Sequence, residues 1–127
     1  LEINQAAQHR QMVSKQQLSF FRGSWIGDYA DAENYLSLFR STNKAPVGPN
    51  YTHYSNPRFD SLYNKAMRTP ISGERERIYH EMDAMMMVES PVIILYYDKV
   101  LRLTQNNIEG LNMNPMNLIT LKSVRKK

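Results

Sequence analysis

Trp25-Ile26-Gly27-Asp28-Tyr29-Ala30-Asp31, running on into Ala32-Glu33-Asn34-Tyr35-Leu36, is the stretch from which the rest of the chain can be read. Phe20-Phe21-Arg22-Gly23-Ser24 ahead of it is aromatic-rich, the character of a strand entering a core. Gly27 permits a sharp change of direction. Asp31 stands where a helix N-cap belongs, and Tyr35, Leu38 and Phe39 follow at helical spacing. The pattern predicts a strand, a turn and a helix from Ala32 to about Phe39, so that an indole, a carboxylate and a helix start meet at a strand end. Ligands in α/β sheets are held at such ends. A plainer reading stays open beside this one, with Trp25 a core aromatic, Asp28 a turn residue and Asp31 a cap.

Composition narrows the classes. A chain of 127 residues holds one domain with a real core and no comfortable second one. Its net charge of +4 comes from Lys122, Arg125, Lys126 and Lys127, and the remainder balances 12 basic against 12 acidic residues. Nucleic acid binding needs a basic patch on the folded body, and here the basicity is a tail, so no nucleic-acid partner is expected. Without cysteine there is no disulfide framework, thiolate metal site or cysteine nucleophile. His9, His53 and His80 form no ligand spacing, so neither metal nor cofactor is expected. No apolar run approaches the ~20 residues that span a bilayer. The chain opens at Leu1 in strand-like sequence, which predicts a piece of a longer protein with any export or lipid-anchor signal upstream.

Outward from the central stretch, Leu1 to Asn4 alternates as a short strand, and Asn4 can cap a surface helix from Gln5 to about Lys15. Ser41 to Tyr54 is a loop broken by Pro46, Gly48, Pro49 and Asn50. Asn56-Pro57 is a helix start, and Phe59, Leu62, Tyr63, Ala66 and Met67 recur with the period of one buried face until Thr69-Pro70. Ser72 opens a second helix with Glu74 and Glu76 in its first turn. Its apolar face is Ile78, Met82, Met85 and Met86, and Glu89-Ser90-Pro91 ends it. Val92 to Tyr97 is a near-continuous apolar run, the pattern of a strand covered on both faces. Asp98-Lys99 interrupts it and Val100 to Thr104 resumes in a second strand. Pro115 breaks an irregular stretch, and Leu118 to Val124 alternates as a last strand. Strands and helices in this order place the chain in the α/β class.

Three landmarks carry a resemblance. They are Trp25-Ile26-Gly27-Asp28-Tyr29 with its helix, Tyr54-Ser55-Asn56-Pro57-Arg58-Phe59-Asp60-Ser61-Leu62, and the Glu/Arg-rich helix leading to Ser90-Pro91-Val92-Ile93-Ile94-Leu95-Tyr96-Tyr97. In this order they resemble the peptide- and oligopeptide-binding proteins of bacterial ABC importers. The resemblance implies the C-terminal part of a large type II periplasmic-binding-protein fold, incomplete on its own. Residues 1–98 would end the peptide-binding lobe, and residues 99–127 would return as strands to the first lobe and finish in the basic tail.

It also implies roles. Asp28 would pair with the α-amino group of a bound peptide, Trp25 would wall a side-chain pocket, Arg22 would meet the peptide carboxylate, and Tyr29 would lie beside them. Ala32 departs from the family, which often has proline soon after the Asp-Tyr pair. The implied function is peptide capture for import, without catalysis, in the periplasm or lipid-anchored at the cell envelope. An ABC-transporter permease is the partner of the whole protein, and the fragment could self-associate through strand edges. A single wall of the cleft should bind peptide weakly or not at all.

Rival readings are the same scaffold holding a nickel complex, haem, a sugar or an opine; a glycosidase with a carboxylate pair drawn from Asp28, Asp31 and Glu33; and an interaction module presenting the methionine-rich helix. Carboxylates turned apart would count against the glycosidase, and buried methionines against the module.

Overall fold

The computed structural model describes residues 3–97, 99–114 and 117–127. Its centre is a helix pair, α3 (Pro57–Arg68) and α4 (Gly73–Glu89). Asn56 caps α3 as its sequence predicts, its Oδ1 accepting from the backbone N–H of Arg58 at 2.9 Å and of Phe59 at 3.3 Å, with Pro57 in the first turn. Phe59, Tyr63 and Ala66 form the buried face of α3, and Ile78, Met82 and Met86 that of α4. Phe59 and Met82 are fully buried, and Leu36 completes this core, with Phe39, Tyr54, Leu62, Tyr79 and Met85 packed around it. Met67 departs from its predicted face and is 42% exposed, since it follows the last buried turn at Ala66. Ser90 ends α4 in the left-handed region at φ 48°, its N–H donating to the Met86 carbonyl at 2.8 Å.

Met82, Met85 and Met86 are therefore core and not a partner surface. Met82 and Met86 are buried and Met85 packs against the same cluster, which removes the interaction-module reading of that helix. An unbranched thioether fills the irregular seam between two helices.

The N-terminal half wraps this pair. Helix α1 (Ala6–Ser14) lies on the surface with Val13 its one buried residue, and its N-cap position falls to Gln5 rather than Asn4. Helix α2 (Glu33–Leu36) is a single turn continued by 3₁₀ turns at Ser37–Phe39 and Ser41–Asn43. Asn34 and Leu36 are its buried residues, whereas Tyr35 is 50% exposed. The loop that follows is organised by Asn50, which is fully buried. Its side-chain amide donates to the carbonyls of Arg40 and Tyr54, both at 3.0 Å, and its backbone N–H donates to Asn43 O at 2.8 Å. Gly48 is required there, because a Cβ would lie 2.4 Å from Asn43 O.

The expected strands mostly do not form. Phe20–Trp25, Val92–Tyr97, Val100–Thr104 and Leu118–Val124 are irregular apart from turns, and the single ladder among the described residues is β1 (Ile108–Glu109) antiparallel to β2 (Arg125–Lys126). Ile93, Leu95 and Tyr97 are 69%, 68% and 84% exposed, the opposite of a strand covered on both faces. A β pattern needs a neighbouring strand to take its backbone donors and acceptors, and the described residues supply none for these segments. Ile3 and Asn4 are irregular too, while Leu1, Glu2, Asp98 and Pro115 lie outside the described residues. The chain is thus a small mixed helix/strand domain dominated by its helix pair. No helix among the described residues is long and apolar enough to cross a membrane.

Truncating Phe59 to alanine should cost about 3–5 kcal/mol in urea unfolding, against less than about 0.5 kcal/mol for Met67→Ala on the exposed side of the same helix. Tyr54 gives a second check. Burial pushes its phenol up to about 12, with the Glu89 carboxylate adding to the shift. The folded chain then keeps a proton that the unfolded chain loses near pH 10, so this group's contribution to stability is constant below pH 10 and is lost from there to about pH 12. Tyr54→Phe should flatten that alkaline fall in a pH series of denaturation midpoints.

Candidate functional site

The segment from Trp25 to Asn34 is irregular until it meets the helix pair at α2. Three acids lie on it, and their surroundings differ. Asp31 is held from within: its Oδ2 is 3.0 Å from Arg75 Nη2, its Oδ1 accepts from the Tyr79 hydroxyl at 3.0 Å, and Arg75 Nε donates to that hydroxyl at 2.7 Å. Asp31 Oδ1 also accepts from the backbone N–H of Glu33 at 2.9 Å, so the residue does cap α2, from one position further out than a standard N-cap. Glu33 is held as well, by the hydroxyls of Tyr29 and Tyr63. Asp28 is exposed, and among the described residues its carboxylate has no hydrogen bond or ion pair.

Electrostatics follows the contacts. The hydrogen bond to the Glu33 carboxylate raises the Tyr29 phenol above its ordinary value, with burial second. Burial raises that of Tyr79, the Asp31 carboxylate adding to it and Arg75 opposing. Arg75 is itself pushed up, first by its bond to Tyr79, so this arginine, which also stacks over the Tyr79 ring, is a fixed cation. A cavity of about 190 Å³ beside it is lined by Asp31, Ala32, Ile71, Ser72, Arg75, Glu76 and Tyr79, and the charges of Asp31 and Arg75 in it are already paired with each other.

Trp25 is partly buried, and its Nε1 donates to Asn34 Oδ1 at 2.8 Å; the Asp28 backbone N–H donates to the same oxygen at 3.2 Å. Arg22 is exposed and donates from Nη2 to the Tyr96 hydroxyl at 2.6 Å, while its carbonyl lies 3.4 Å from His9 Nε2. Tyr29 is 49% exposed with its hydroxyl on Glu33. The loop thus joins Trp25, Asp28 and Tyr29 through Asn34 and Glu33, and Arg22 is tied instead to Tyr96. Gly27 does not take a positive φ; its lack of a Cβ leaves room for the Tyr35 hydroxyl, which would lie 3.2 Å from one.

Asn34, Arg75 and Tyr79 escape the sequence reading. Asn34 looks like any polar helix residue, and Arg75 and Tyr79 lie more than forty positions from Asp31. Their i, i+4 spacing on α4, which matches the Arg75 Nε to Tyr79 hydroxyl bond, is the one local signal that pairs them. Against the glycosidase reading, two of its three carboxylates are occupied by internal donors. Among the described residues, no group of three or more histidines and acids is placed to hold a metal.

No family model matches the chain. It is 29% identical over 92 residues, 72% of its length, to the di/tripeptide-binding protein 4 of Pseudomonas aeruginosa. To the glutathione-binding protein GsiB of Salmonella choleraesuis it is 33% identical over 97 residues, 76% of its length. To the "Probable deoxycholate-binding periplasmic protein YgiS" of Escherichia coli it is 26% identical over 104 residues, 81% of its length. The matches cover 17%, 19% and 19% of those proteins, so the chain spans less than a fifth of each. The chain resembles part of a dipeptide- or oligopeptide-binding periplasmic protein.

The Asp31–Arg75 pair is the structural anchor of the loop, its side chains 27% and 17% exposed. Asp31→Asn should cost about 1–3 kcal/mol in chemical denaturation. Arg58→Ala, breaking a pair with Glu81 whose side chains are 70% and 44% exposed, should cost less than about 1 kcal/mol.

Proposed function

We propose that the chain takes part in solute binding as a piece of a peptide-binding component of an ABC importer, and that the loop at Trp25–Tyr29 forms one wall of its ligand cleft. The observation that carries this reading is the inequality of the three acids. Asp31 and Glu33 spend their oxygens on Arg75, Tyr79, Tyr29 and Tyr63, which leaves Asp28 as the exposed carboxylate, on a backbone that shares an acceptor with the Trp25 indole. A peptide ammonium entering a closing cleft has to find an anion, since an unpaired charge removed from water is costly. A carboxylate at hydrogen-bond distance provides it. Trp25 would lend apolar area to a neighbouring side chain without selecting its identity.

Arg22 would meet a ligand carboxylate by leaving Tyr96, and Tyr29 would line the wall with its hydroxyl held on Glu33. In the whole protein, residues 1–98 would belong to the peptide lobe of a type II binding fold, and residues 99–127 to strands crossing to the other lobe. The exposed apolar residues of 92–103 are consistent with a surface that further polypeptide covers. Lobe closure over the ligand would then be what the permease senses, in the periplasm or at a lipid-anchored position on the envelope. Alone, the chain could self-associate by pairing segments 92–97 and 100–104, which have no partner strand among the described residues, with a second copy.

A second reading follows from the deoxycholate-binding relative: an apolar ligand bearing an acid and no amine. Asp28 would repel its carboxylate, so peptide stays the preferred class.

The test is a titration followed by NMR shifts at the Trp25 indole and the Asp28 amide. One charge-assisted hydrogen bond contributes about 1.5–3 kcal/mol and association consumes part of what the contacts supply, so tri-alanine should bind with a Kd of about 1 mM or weaker. N-acetyl-tri-alanine, lacking the ammonium, should bind at least about tenfold more weakly, and Asp28→Asn should weaken tri-alanine equally. Equal binding of the acetylated peptide would remove the amine-pairing role, and micromolar binding would contradict a one-sided wall. Shifts with deoxycholate but none with tri-alanine would transfer the site to the second reading.

A further inference from the structure

Residues 24–28 make no backbone–backbone hydrogen bond among the described residues. Every hydrogen bond they do make ends on one atom, Asn34 Oδ1, which accepts the Trp25 indole N–H at 2.8 Å and the Asp28 backbone N–H at 3.2 Å. An amide oxygen has two lone pairs, and both are used. Asn34 is itself 3% exposed, and its place in α2 is secured by its backbone N–H on Asp31 O at 3.1 Å and by its carbonyl, which accepts from Ser37 Oγ at 3.0 Å. A buried acceptor on a hydrogen-bonded turn therefore carries a segment whose own backbone makes no backbone hydrogen bond among the described residues.

We infer that Asn34 is the positioning residue of the proposed peptide site: it sets the Trp25 indole and the Asp28 backbone at fixed separation before any ligand arrives. The inference rests on the reading of Asp28 and Trp25 given above. Asn34 does not touch the ligand; both of its acceptor positions face inward. Its contribution is to remove the disorder that a free loop would have to lose on binding, which is how a site gains affinity without a new contact. It also explains why an exposed acid on an irregular segment can act as a specific anchor. The backbone from which its side chain springs is held beside the indole by the same oxygen. Asn34→Ala would leave the indole N–H without its partner and the Asp28 amide open to water. Asn34→Asp keeps an oxygen acceptor in the same place, at a cost in global stability for burying a carboxyl group beside Asp31 and Glu33.

The experiment measures hydrogen exchange of the Trp25 indole and Asp28 amide by NMR, with tri-alanine titrations on the same samples. Trp25 is the single tryptophan, so its indole signal is unambiguous. In the parent chain the Asp28 amide should exchange at least about tenfold more slowly than the amide of Ser24, which has no hydrogen bond among the described residues. Asn34→Ala should abolish protection at both sites while the α3 and α4 amides keep theirs, and should weaken tri-alanine binding about tenfold. Asn34→Asp should retain protection and binding.

Equal exchange in the parent and Asn34→Ala overturns the inference. Lost protection with unchanged tri-alanine affinity overturns it too, and if Asp28→Asn still loses binding, the role of Asp28 stands without Asn34. Unchanged affinity in Asp28→Asn brings down the peptide-site reading, and the positioning role with it. Should Asn34→Ala lose the α3 and α4 protection as well, Asn34→Asp decides alone: retained protection and binding support the inference, and loss of either overturns it.

Discussion

The apolar seam between α3 and α4 is the constraint on which everything else in this molecule depends. Phe59, Tyr63 and Ala66 meet Ile78, Met82 and Met86, and Leu36 from the preceding segment closes one end. Each residue is nearly or wholly withdrawn from water, and burial of side chains such as Leu36, Phe59, Ile78, Met82 and Met86 stabilises by roughly 1.5–3 kcal/mol apiece. Nothing comparable exists elsewhere among the described residues, where Val13 and Ala45 are the other buried apolar residues. The two helices are the frame, and the remaining chain is attached to them.

The attachment is largely polar. Asp60 on α3 accepts from the backbone N–H of Ser41 at 2.9 Å, and Asn64 accepts from Arg40 Nη2 at 2.9 Å, while the Arg40 guanidinium lies 4.9 Å from the Tyr63 ring centre. Asn56 of the α3 cap reaches Glu89 at the end of α4 at 2.6 Å. The loop with the candidate site hangs from the same frame by Asp31 on Arg75 and Tyr79, and by Glu33 on Tyr63. An irregular segment cannot satisfy its backbone in a ladder, so side chains of a rigid neighbour take over that task. The candidate site can therefore be an exposed loop and still have a defined shape.

Two acids with identical local sequence character thus take different parts. Asp28 and Asp31 both follow a small residue and both precede a helix, yet α4 presents a guanidinium and a phenol to one and nothing to the other. The difference makes Asp31 structural and leaves Asp28 open. It also separates this loop from a catalytic carboxylate pair, in which both acids face a substrate.

What the residues determine by themselves is local. Asn56-Pro57 and the period of Phe59, Tyr63 and Ala66 specify α3, and the first-turn acids and Glu89-Ser90-Pro91 bound α4, because capping and helical periodicity depend on neighbours within a few positions. The order of the three landmarks likewise pointed to peptide-binding proteins, in agreement with the relatives the chain matches. The apolar runs at 92–97 and 100–104 show the limit: their pattern states a tendency to pair, and whether a partner strand is present is not written in them. Only the tertiary structure decided which carboxylate is free, that Asn34 carries the Trp25 segment, and that Arg75 belongs to Asp31 across 44 positions. Those outcomes depend on how two packed helices bring distant donors and acceptors together, and such distances arise only when the chain has closed on its core.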